Sequence, residues 1–193
     1  MIGIFGGSFN PIHIAHLILS EDLIVNQGFN KVQFLPCWKQ PLKDQTSFVS
    51  FEHRLNMLKI ATQANQHFSI LDIEADLPKP SYTYNTLIEL QKRGYKDFCF
   101  ITGADNLNII TSWYKYRELL NEFQILFLLR PSFVLPKRYK KIGKEKLLKT
   151  RLLDISSTEI RRRLKQDLSC KEMLPRGVHE YIKREKLYTN EED

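Results

Sequence analysis

Short apolar runs alternate with longer segments of helical period along the chain, and this alternation constrains the fold more than any other feature. The apolar runs predict strands at residues 1–5, 32–35, 68–73, 98–102, 125–129 and 151–155. Segments of helical period lie at residues 11–27, 52–65, 84–93, 113–121, 157–166 and 178–185. Repeated strand–helix units build a parallel sheet that helices cover on both faces. We therefore predict an α/β fold with a doubly wound parallel sheet, in which ligands bind beyond the carboxyl ends of the strands.

The length of 193 residues suits one domain, and we predict a single domain over residues 1–193 whose C-terminal part is helical. The cysteines, Cys37, Cys99 and Cys170, are far apart and form no CxxC pair or zinc-type cluster, so neither a disulfide framework nor structural zinc is expected. No apolar run is long enough to cross a membrane, and the first residues lack the basic stretch of a signal peptide. We therefore expect a cytoplasmic protein with no membrane partner.

The formal net charge of +7 indicates either a nucleic-acid surface or a site for small anions. Much of the excess lies in residues 137–151, a stretch that reads as a solvated loop or helix face. Tyr139 is the one aromatic residue of this stretch, so it does not resemble a stacking platform for single strands. We therefore expect small anionic ligands and no nucleic acid.

The first motif, GGSFNPIHIAH at residues 6–16, directly follows the first predicted strand. Its two glycines let the backbone turn and approach a ligand without a Cβ atom in the way. Asn10 suits an N-cap and Pro11 the first helical position, which would leave free amides as an anion site. His13 and His16 are three residues apart and therefore share one helix face, where phosphate oxygens would lie.

The second motif, ISSTEIRRR at residues 155–163, also predicts a helix start, because Ser156 and Glu159 have the spacing of a capping box. The amides and hydroxyls of this start could hold a second phosphate group, with a nearby arginine supplying charge. The alternative from the residues alone is a well-capped surface helix with basic side chains.

Together the two motifs resemble those of the HxGH nucleotidyltransferase superfamily, with Ala15 in place of the signature glycine. The superfamily's SSTxxR segment is matched by Ser156, Ser157, Thr158 and Arg161. The segments FLPCWKQPLK (34–43), PSYTYNTL (80–87), GADNL (103–107), TSWYKYREL (111–119) and MLPRGVHEYIKREKLY (173–188) are similar to segments of bacterial nicotinate-nucleotide adenylyltransferases. The first of these departs from the family's PPHK ending, since it reads QPLK and keeps Pro41 and Lys43. The PSYT and tryptophan segments separate this family from the cytidylyltransferases and phosphopantetheine adenylyltransferases that share the first motif.

The resemblance implies a Rossmann-like nucleotidyltransferase fold and a transfer of AMP from ATP to nicotinate mononucleotide, with Mg²⁺ bound mainly through the ATP phosphates. It implies catalytic roles for His13, His16 and Arg161. The ATP-binding residues that it implies are Gly7, Ser8, Phe9, His16, Asp105, Ser156, Ser157 and Arg161. The acceptor-binding residues that it implies are Lys43, Thr83 and Trp113.

Two of these residues have a structural alternative. Asp105 could accept bonds from a ribose hydroxyl or could cap a helix, and Trp113 could stack on a pyridinium ring or pack in the core. Thr83 precedes a predicted helix whose first amides would favour the carboxylate of nicotinate over the neutral amide of nicotinamide. The sequence does not determine the oligomeric state, and a homo-oligomer is compatible with it.

Overall fold

The computed structural model describes residues 1–39, 48–131, 133–134, 146–148, 150–151 and 153–189. Its strands are β1 (Ile2–Gly7), β2 (Lys31–Pro36), β3 (Phe68–Ile70), β4 (Phe98–Gly103), β5 (Ile125–Leu128) and β6 (Leu147–Leu148). They form one sheet in the order β3-β2-β1-β4-β5-β6, and every neighbouring pair is parallel. The predicted doubly wound α/β fold is confirmed.

Six α-helices connect and follow these strands within the described residues. They are α1 (Ile14–Gln27), α2 (Phe51–Thr62), α3 (Thr83–Lys92), α4 (Tyr116–Glu122), α5 (Ser157–Lys165) and α6 (Arg176–Arg184). Short 3₁₀ turns occur at Ile73–Ala75, Ala104–Asn108, Ile110–Ser112 and Lys171–Met173. None of the helices in this part of the chain combines the length and the apolar character that a bilayer span requires.

The core lies on both faces of the sheet, because successive strand residues point to opposite sides. Phe34 and Ile101 pack on the face covered by α1, α2, α5 and α6. Phe100 and Phe127, from β4 and β5, pack on the opposite face against α3 and α4. All four side chains are at most 3% exposed, and burying each of them stabilises the fold by about 2 kcal/mol.

Helix α1 begins at Ile14, three residues later than predicted, and His13 is its N-cap. Asn10 does not cap this helix, because its Oδ1 atom accepts hydrogen bonds from the Tyr188 hydroxyl (2.7 Å) and the Val49 amide (3.4 Å). Pro11 lies in the turn before the helix, where its carbonyl oxygen accepts a bond from Ser157 Oγ at 2.9 Å. Contacts that are distant in sequence therefore override the local capping preference.

Two further predictions were wrong in detail. The sixth strand is Leu147–Leu148, not residues 151–155, and Arg151 instead pairs with Asp22 of α1 at 3.1 Å. The predicted helix over residues 113–121 is interrupted, since Trp113 has an extended conformation and Lys115 a left-handed one (φ 51°). Helix α4 therefore starts only at Tyr116.

Candidate active site

Two adjacent cavities open beyond the carboxyl ends of the central strands, the edge at which this fold type binds ligands. The first has a volume of about 300 Å³ and is lined by His13 and His16; we call it the histidine cavity. The second has a volume of about 290 Å³ and is lined by Trp113; we call it the tryptophan cavity. Four residues line both cavities and form what we call the shared floor: Gly6 and Gly7 at the end of β1, Thr102 near the end of β4, and Asn106 in the 3₁₀ turn after β4.

The turn after β1 forms the wall between the strand and the histidines, and Gly7, Ser8 and Phe9 all line the histidine cavity. A Cβ atom on Gly6 would lie 2.4 Å from the ring of Phe100, so this glycine is required for close packing. Neither Gly6 nor Gly7 has a positive φ; the left-handed residue of the turn is Phe9 (φ 47°). The Phe9 ring packs edge-on against His16 at 5.1 Å between ring centroids. The chain therefore turns at Phe9, and the glycines supply space.

His13 and His16 lie together at the start of α1, with their rings stacked at 3.7 Å between centroids. The backbone N–H of His13 donates to Nδ1 of His16 at 3.2 Å, so the proton of a neutral His16 ring is on Nε2. Neither ring nitrogen of the buried His13 has a hydrogen-bond partner in the described part of the chain. Unpartnered buried polar atoms normally mark a place where a ligand or water binds.

Burial and nearby positive charge keep both imidazoles neutral. Burial is the larger cause and the guanidinium of Arg130 the smaller cause that lowers the pKa of His13 to about 3. Burial, then His13 and Arg130, lowers the pKa of His16 well below its ordinary value of 6.5. Near neutral pH these side chains can therefore act on a phosphate as hydrogen-bond donors but carry no full charge.

The second motif is 146 residues away in sequence and yet contacts the first directly. Ser156 caps α5 as predicted, since its Oγ accepts from the Glu159 amide at 3.2 Å. Ser157 Oγ donates to the Pro11 carbonyl oxygen, and Arg161 Nη1 donates to the Asn10 carbonyl oxygen at 2.8 Å. All three side chains, with Thr158, line the histidine cavity. The structure therefore brings the two motifs to one site, and Ser157 and Arg161 also hold the turn that carries the histidines.

Asp105 lies in the 3₁₀ turn after β4 and lines the histidine cavity. The alternative of a capping role does not apply, because the N-cap of this turn is Gly103. Asp105 Oδ2 instead pairs with Arg130 Nε at 3.0 Å. Sequence reasoning missed Arg130, although it comes two residues after β5, at the strand edge where functional residues were expected.

The tryptophan cavity has a different lining, in which aromatic rings dominate one wall. Trp113 is half-buried; it packs against the core, as one of the two sequence readings expected, and it also lines the cavity. Stacking on a pyridinium ring stays a prediction. Tyr82 and Tyr114 line the same cavity and stack on each other at 4.8 Å between centroids. Thr83 is the first residue of α3, whose N-cap has no side-chain hydrogen bond. Lys43 lies outside the described residues; Lys39, four positions earlier, lines the cavity.

No group of three or more His, Cys, Asp or Glu side chains that could hold a metal ion occurs among the described residues. The described lining of the histidine cavity contains one carboxylate, Asp105, and this carboxylate is paired with Arg130. Such a lining fits a Mg²⁺ ion that is held by substrate phosphates and water, because this ion often binds proteins through at most one or two carboxylates.

Known proteins that are similar to this chain are consistent with a nucleotide-binding site of this kind. The model of the cytidylyltransferase-like family matches residues 4–163. The chain is 38% identical to a Bacillus cereus (strain B4264) protein named "Probable nicotinate-nucleotide adenylyltransferase", over 97% of each chain. It is 35% identical to a protein of the same name from Methylacidiphilum infernorum (isolate V4), over 97% of this chain and 91% of that one.

A solved structure with the same fold is the Plasmodium falciparum nicotinic acid mononucleotide adenylyltransferase complexed with NaAD. It matches with a TM-score of 0.77 and 24% identity over 97% of this chain and 96% of that chain. The fold, the two linked motifs and the sequence identity over nearly the full length all indicate the same family. The chain therefore belongs to the cytidylyltransferase-like family and, within it, to the nicotinate-nucleotide adenylyltransferases.

Proposed function

We propose that this protein joins ATP and nicotinate mononucleotide to give nicotinate adenine dinucleotide and pyrophosphate, as a single catalytic domain. The observation that carries the proposal is the shared floor, through which two cavities of similar volume meet at the ends of β1 and β4. A reaction that joins two nucleotides through their phosphates needs two such adjacent sites. The relatives' names, and the NaAD complex of the structural relative, support this choice of substrates.

ATP fits the histidine cavity, where neutral donors and three arginines, Arg130, Arg151 and Arg161, line the space. The ring N–H groups of His13 and His16 and the guanidinium groups of Arg161 and Arg130 can donate hydrogen bonds to phosphate oxygens. Gly7, Ser8 and Phe9 supply the wall of the cavity, and Ser156 and Ser157 stand at the start of α5. Asp105 is exposed enough to accept a bond from a ribose hydroxyl.

The chemistry then requires alignment and charge stabilisation more than proton transfer. The acceptor's phosphate is already ionised near neutral pH, so its oxygen attacks the α-phosphorus of ATP while the bond to pyrophosphate breaks. The histidines donate hydrogen bonds to oxygens that gain charge, and Arg161 and Arg130 neutralise the leaving pyrophosphate. Mg²⁺, bound through the phosphates, would neutralise further negative charge on them.

The acceptor fits the tryptophan cavity. The half-buried ring of Trp113 offers a face for a cationic pyridinium ring, an arrangement that cation–π attraction stabilises. The start of α3 at Thr83 offers amides to a carboxylate. A site of this kind should prefer the nicotinate form over the nicotinamide form by ~10²-fold or more in kcat/KM.

The test is pyrophosphate release from ATP by the purified protein with a panel of acceptors: nicotinate mononucleotide, nicotinamide mononucleotide, phosphopantetheine and none. Among these acceptors, we expect only nicotinate mononucleotide to give rapid release of pyrophosphate from ATP. An equal amount of dinucleotide product should form. Release with phosphopantetheine, or release that needs no acceptor, would reject the proposal. Equal use of both mononucleotides would still be adenylyl transfer, but it would reject the claim that the amides at the start of α3, at Thr83, select the carboxylate of nicotinate.

For its cellular setting, we propose a cytoplasmic enzyme whose partners are these two small molecules and not nucleic acid. The basic stretch over residues 137–151 lies largely outside the described residues. A filter-binding assay with single-stranded RNA and duplex DNA at ~0.15 M salt checks this, since a nucleic-acid protein would bind under those conditions.

A further inference from the structure

Arg54, on α2, is a fully buried cation that contacts one lining residue of each cavity, Ser8 and Cys37. Its Nη1 donates to the carbonyl oxygens of Ser8 (2.9 Å) and Cys37 (2.7 Å), and its Nη2 donates to that of Trp38 (2.8 Å). The guanidinium also lies over the ring of Phe48, with 4.6 Å between its carbon and the ring centroid. Burial lowers the pKa of Arg54, but an arginine remains protonated. Burying a charged guanidinium costs free energy, and the three hydrogen bonds to backbone carbonyl oxygens offset part of that cost. A buried charge with these partners suggests a role in holding the backbone.

Glu74, in the 3₁₀ turn after β3, is a buried carboxylate that also contacts the segment after β2, at Trp38. Its Oε2 accepts from the Trp38 amide (2.8 Å) and the Ser81 hydroxyl (2.7 Å), and its Oε1 accepts from the Thr86 hydroxyl (3.1 Å). Glu74 and Ser81 line the tryptophan cavity, whereas neither lines the histidine cavity. The contacts of Glu74 therefore lie on the acceptor side alone.

The two charges meet at one peptide group. Arg54 binds the carbonyl oxygen between Cys37 and Trp38, and Glu74 binds the N–H of the same peptide. The preceding amide, that of Cys37, donates to the Gly7 carbonyl oxygen in the shared floor at 2.9 Å. The chain that leaves β2 is thus fixed at every polar backbone atom of Cys37 and Trp38. Opposite charges at the two ends of one peptide strengthen both hydrogen bonds.

We propose, on the basis of the adenylyl transfer proposed above, that Arg54 and Glu74 are positioning residues that clamp the Cys37–Trp38 peptide and thereby set the width of the tryptophan cavity. Arg54 also holds the Ser8 carbonyl of the turn after β1, so it couples the two cavities. Glu74 acts on the acceptor side only. The two residues should consequently affect the two substrates differently.

Substitutions at Glu74 separate geometry from charge. Glu74→Gln keeps an acceptor for the Trp38 amide, and the Ser81 and Thr86 hydroxyls can reorient to suit the new amide group. We expect an acceptor KM within ~2-fold of wild type. Glu74→Met has a similar volume but no acceptor, and should raise the acceptor KM by ~10-fold or more while leaving the ATP KM unchanged.

Arg54→Lys keeps the charge but cannot bind three carbonyl oxygens with a planar fork. It should raise the KM of both substrates, by ~10-fold for the acceptor and by a smaller factor for ATP. Arg93→Lys and Glu89→Met serve as matched controls and should change neither KM. Glu89 of α3 and Arg93, the residue after α3, form a pair with 3.1 Å between charged atoms and line neither cavity.

The experiment measures kcat and both KM values for these variants, with the melting temperature of each. A purely structural role would lower the melting temperature and kcat without separating the two KM values, and would overturn the proposal. If Glu74→Gln raised the acceptor KM as much as Glu74→Met, the hydrogen bond that glutamine keeps to the Trp38 amide would not be what positions the acceptor site, and the clamp would be wrong. Should Glu74→Met not fold, Arg54→Lys decides alone: unchanged KM values overturn the clamp. Failure of wild type to turn over would reject the proposed function instead.

Discussion

The two cavities share a floor but recognise their ligands by different physical means. The histidine cavity is lined by side chains whose state is fixed by neighbours: stacked neutral imidazoles, and arginines held by a carbonyl oxygen or a carboxylate. The tryptophan cavity is lined by aromatic rings, one half-buried and two stacked on each other. Preorganised donors suit a step in which charge develops, because they need no rearrangement at that moment. Rings suit a planar ligand that must be held but not changed.

Because of this difference, substitutions in the two cavities should have different kinetic effects. Changes in the histidine cavity should lower the rate or the affinity for ATP, and changes in the tryptophan cavity should lower affinity for the acceptor. The following experiments test that separation, and each could show that one cavity does the work assigned to the other.

The largest effect should follow His16→Ala, which removes the Nε2–H donor. We expect kcat to fall by at least ~10²-fold, the scale seen when one donor to a transition-state oxyanion is lost. His67→Ala serves as the control, because His67 lines neither cavity. Near-normal turnover in a folded His16→Ala protein would show that the histidine cavity is not the catalytic site. The same test applies to His13→Ala.

Arg161→Ala should come next in size. Loss of a charged contact to phosphate, together with loss of the bond to the Asn10 carbonyl oxygen, should raise the ATP KM by ~10-fold or more and the acceptor KM by less. Arg162→Ala is the matched control, since Arg162 binds Glu159 and Gln166 on the exposed side of α5. If both arginine variants behaved alike, Arg161 would have no special place at the ATP site.

The histidine cavity should also make the fold sensitive to acid. The pKa of His13 is about 3 in the folded state against an ordinary value of 6.5, so the unfolded state binds the proton more tightly. The stability that depends on neutral His13 is therefore complete above pH 6.5 and is lost as the pH falls towards the folded-state pKa. Between pH 6 and 5 the free energy of unfolding should fall by about 1 kcal/mol more in wild type than in His13→Gln.

Urea unfolding at a series of pH values measures this slope. Trp113→Phe, a change in the other cavity, should keep the wild-type slope. An identical slope in His13→Gln would mean that His13 titrates normally, and the neutral state argued for the histidine cavity would be wrong.

A smaller effect is expected for Trp113→Ala. Loss of the ring face should raise the acceptor KM by about 5-fold, the scale of one partly exposed cation–π contact, with little change in the ATP KM. Trp113→Phe keeps a ring and should recover most of the affinity. A rise in the ATP KM of the same size would show that Trp113 supports both cavities through packing.

The sequence predicts the sheet well because buried parallel strands are short, apolar and separated by helices, and it predicts the histidines because they follow a strand directly. Arg130 could have been found by the same rule, since it comes just after the apolar run of β5. The actual role of Asn10 could not, because its Oδ1 atom accepts a hydrogen bond from Tyr188, 178 residues away along the chain. Tyr82 and Tyr114 could not either: their stacking depends on how two irregular segments fold against each other.

Pairwise contacts of buried charges are also hidden from sequence patterns. Arg54 lies on a helix and Glu74 in a short turn, 20 positions apart, and neither belongs to a recognisable motif. Only the folded chain shows that both bind the same peptide group.

The most direct test of the account measures the affinity of the product, which must fill both cavities at once. Calorimetric titration of nicotinate adenine dinucleotide into wild type, Arg161→Ala, Trp113→Ala and the double variant gives four values of Kd. We expect each single change to weaken binding and the two effects to multiply in Kd, because the residues line different cavities and share no contact. A single variant that binds the dinucleotide as tightly as wild type would contradict the claim that one ligand spans the shared floor.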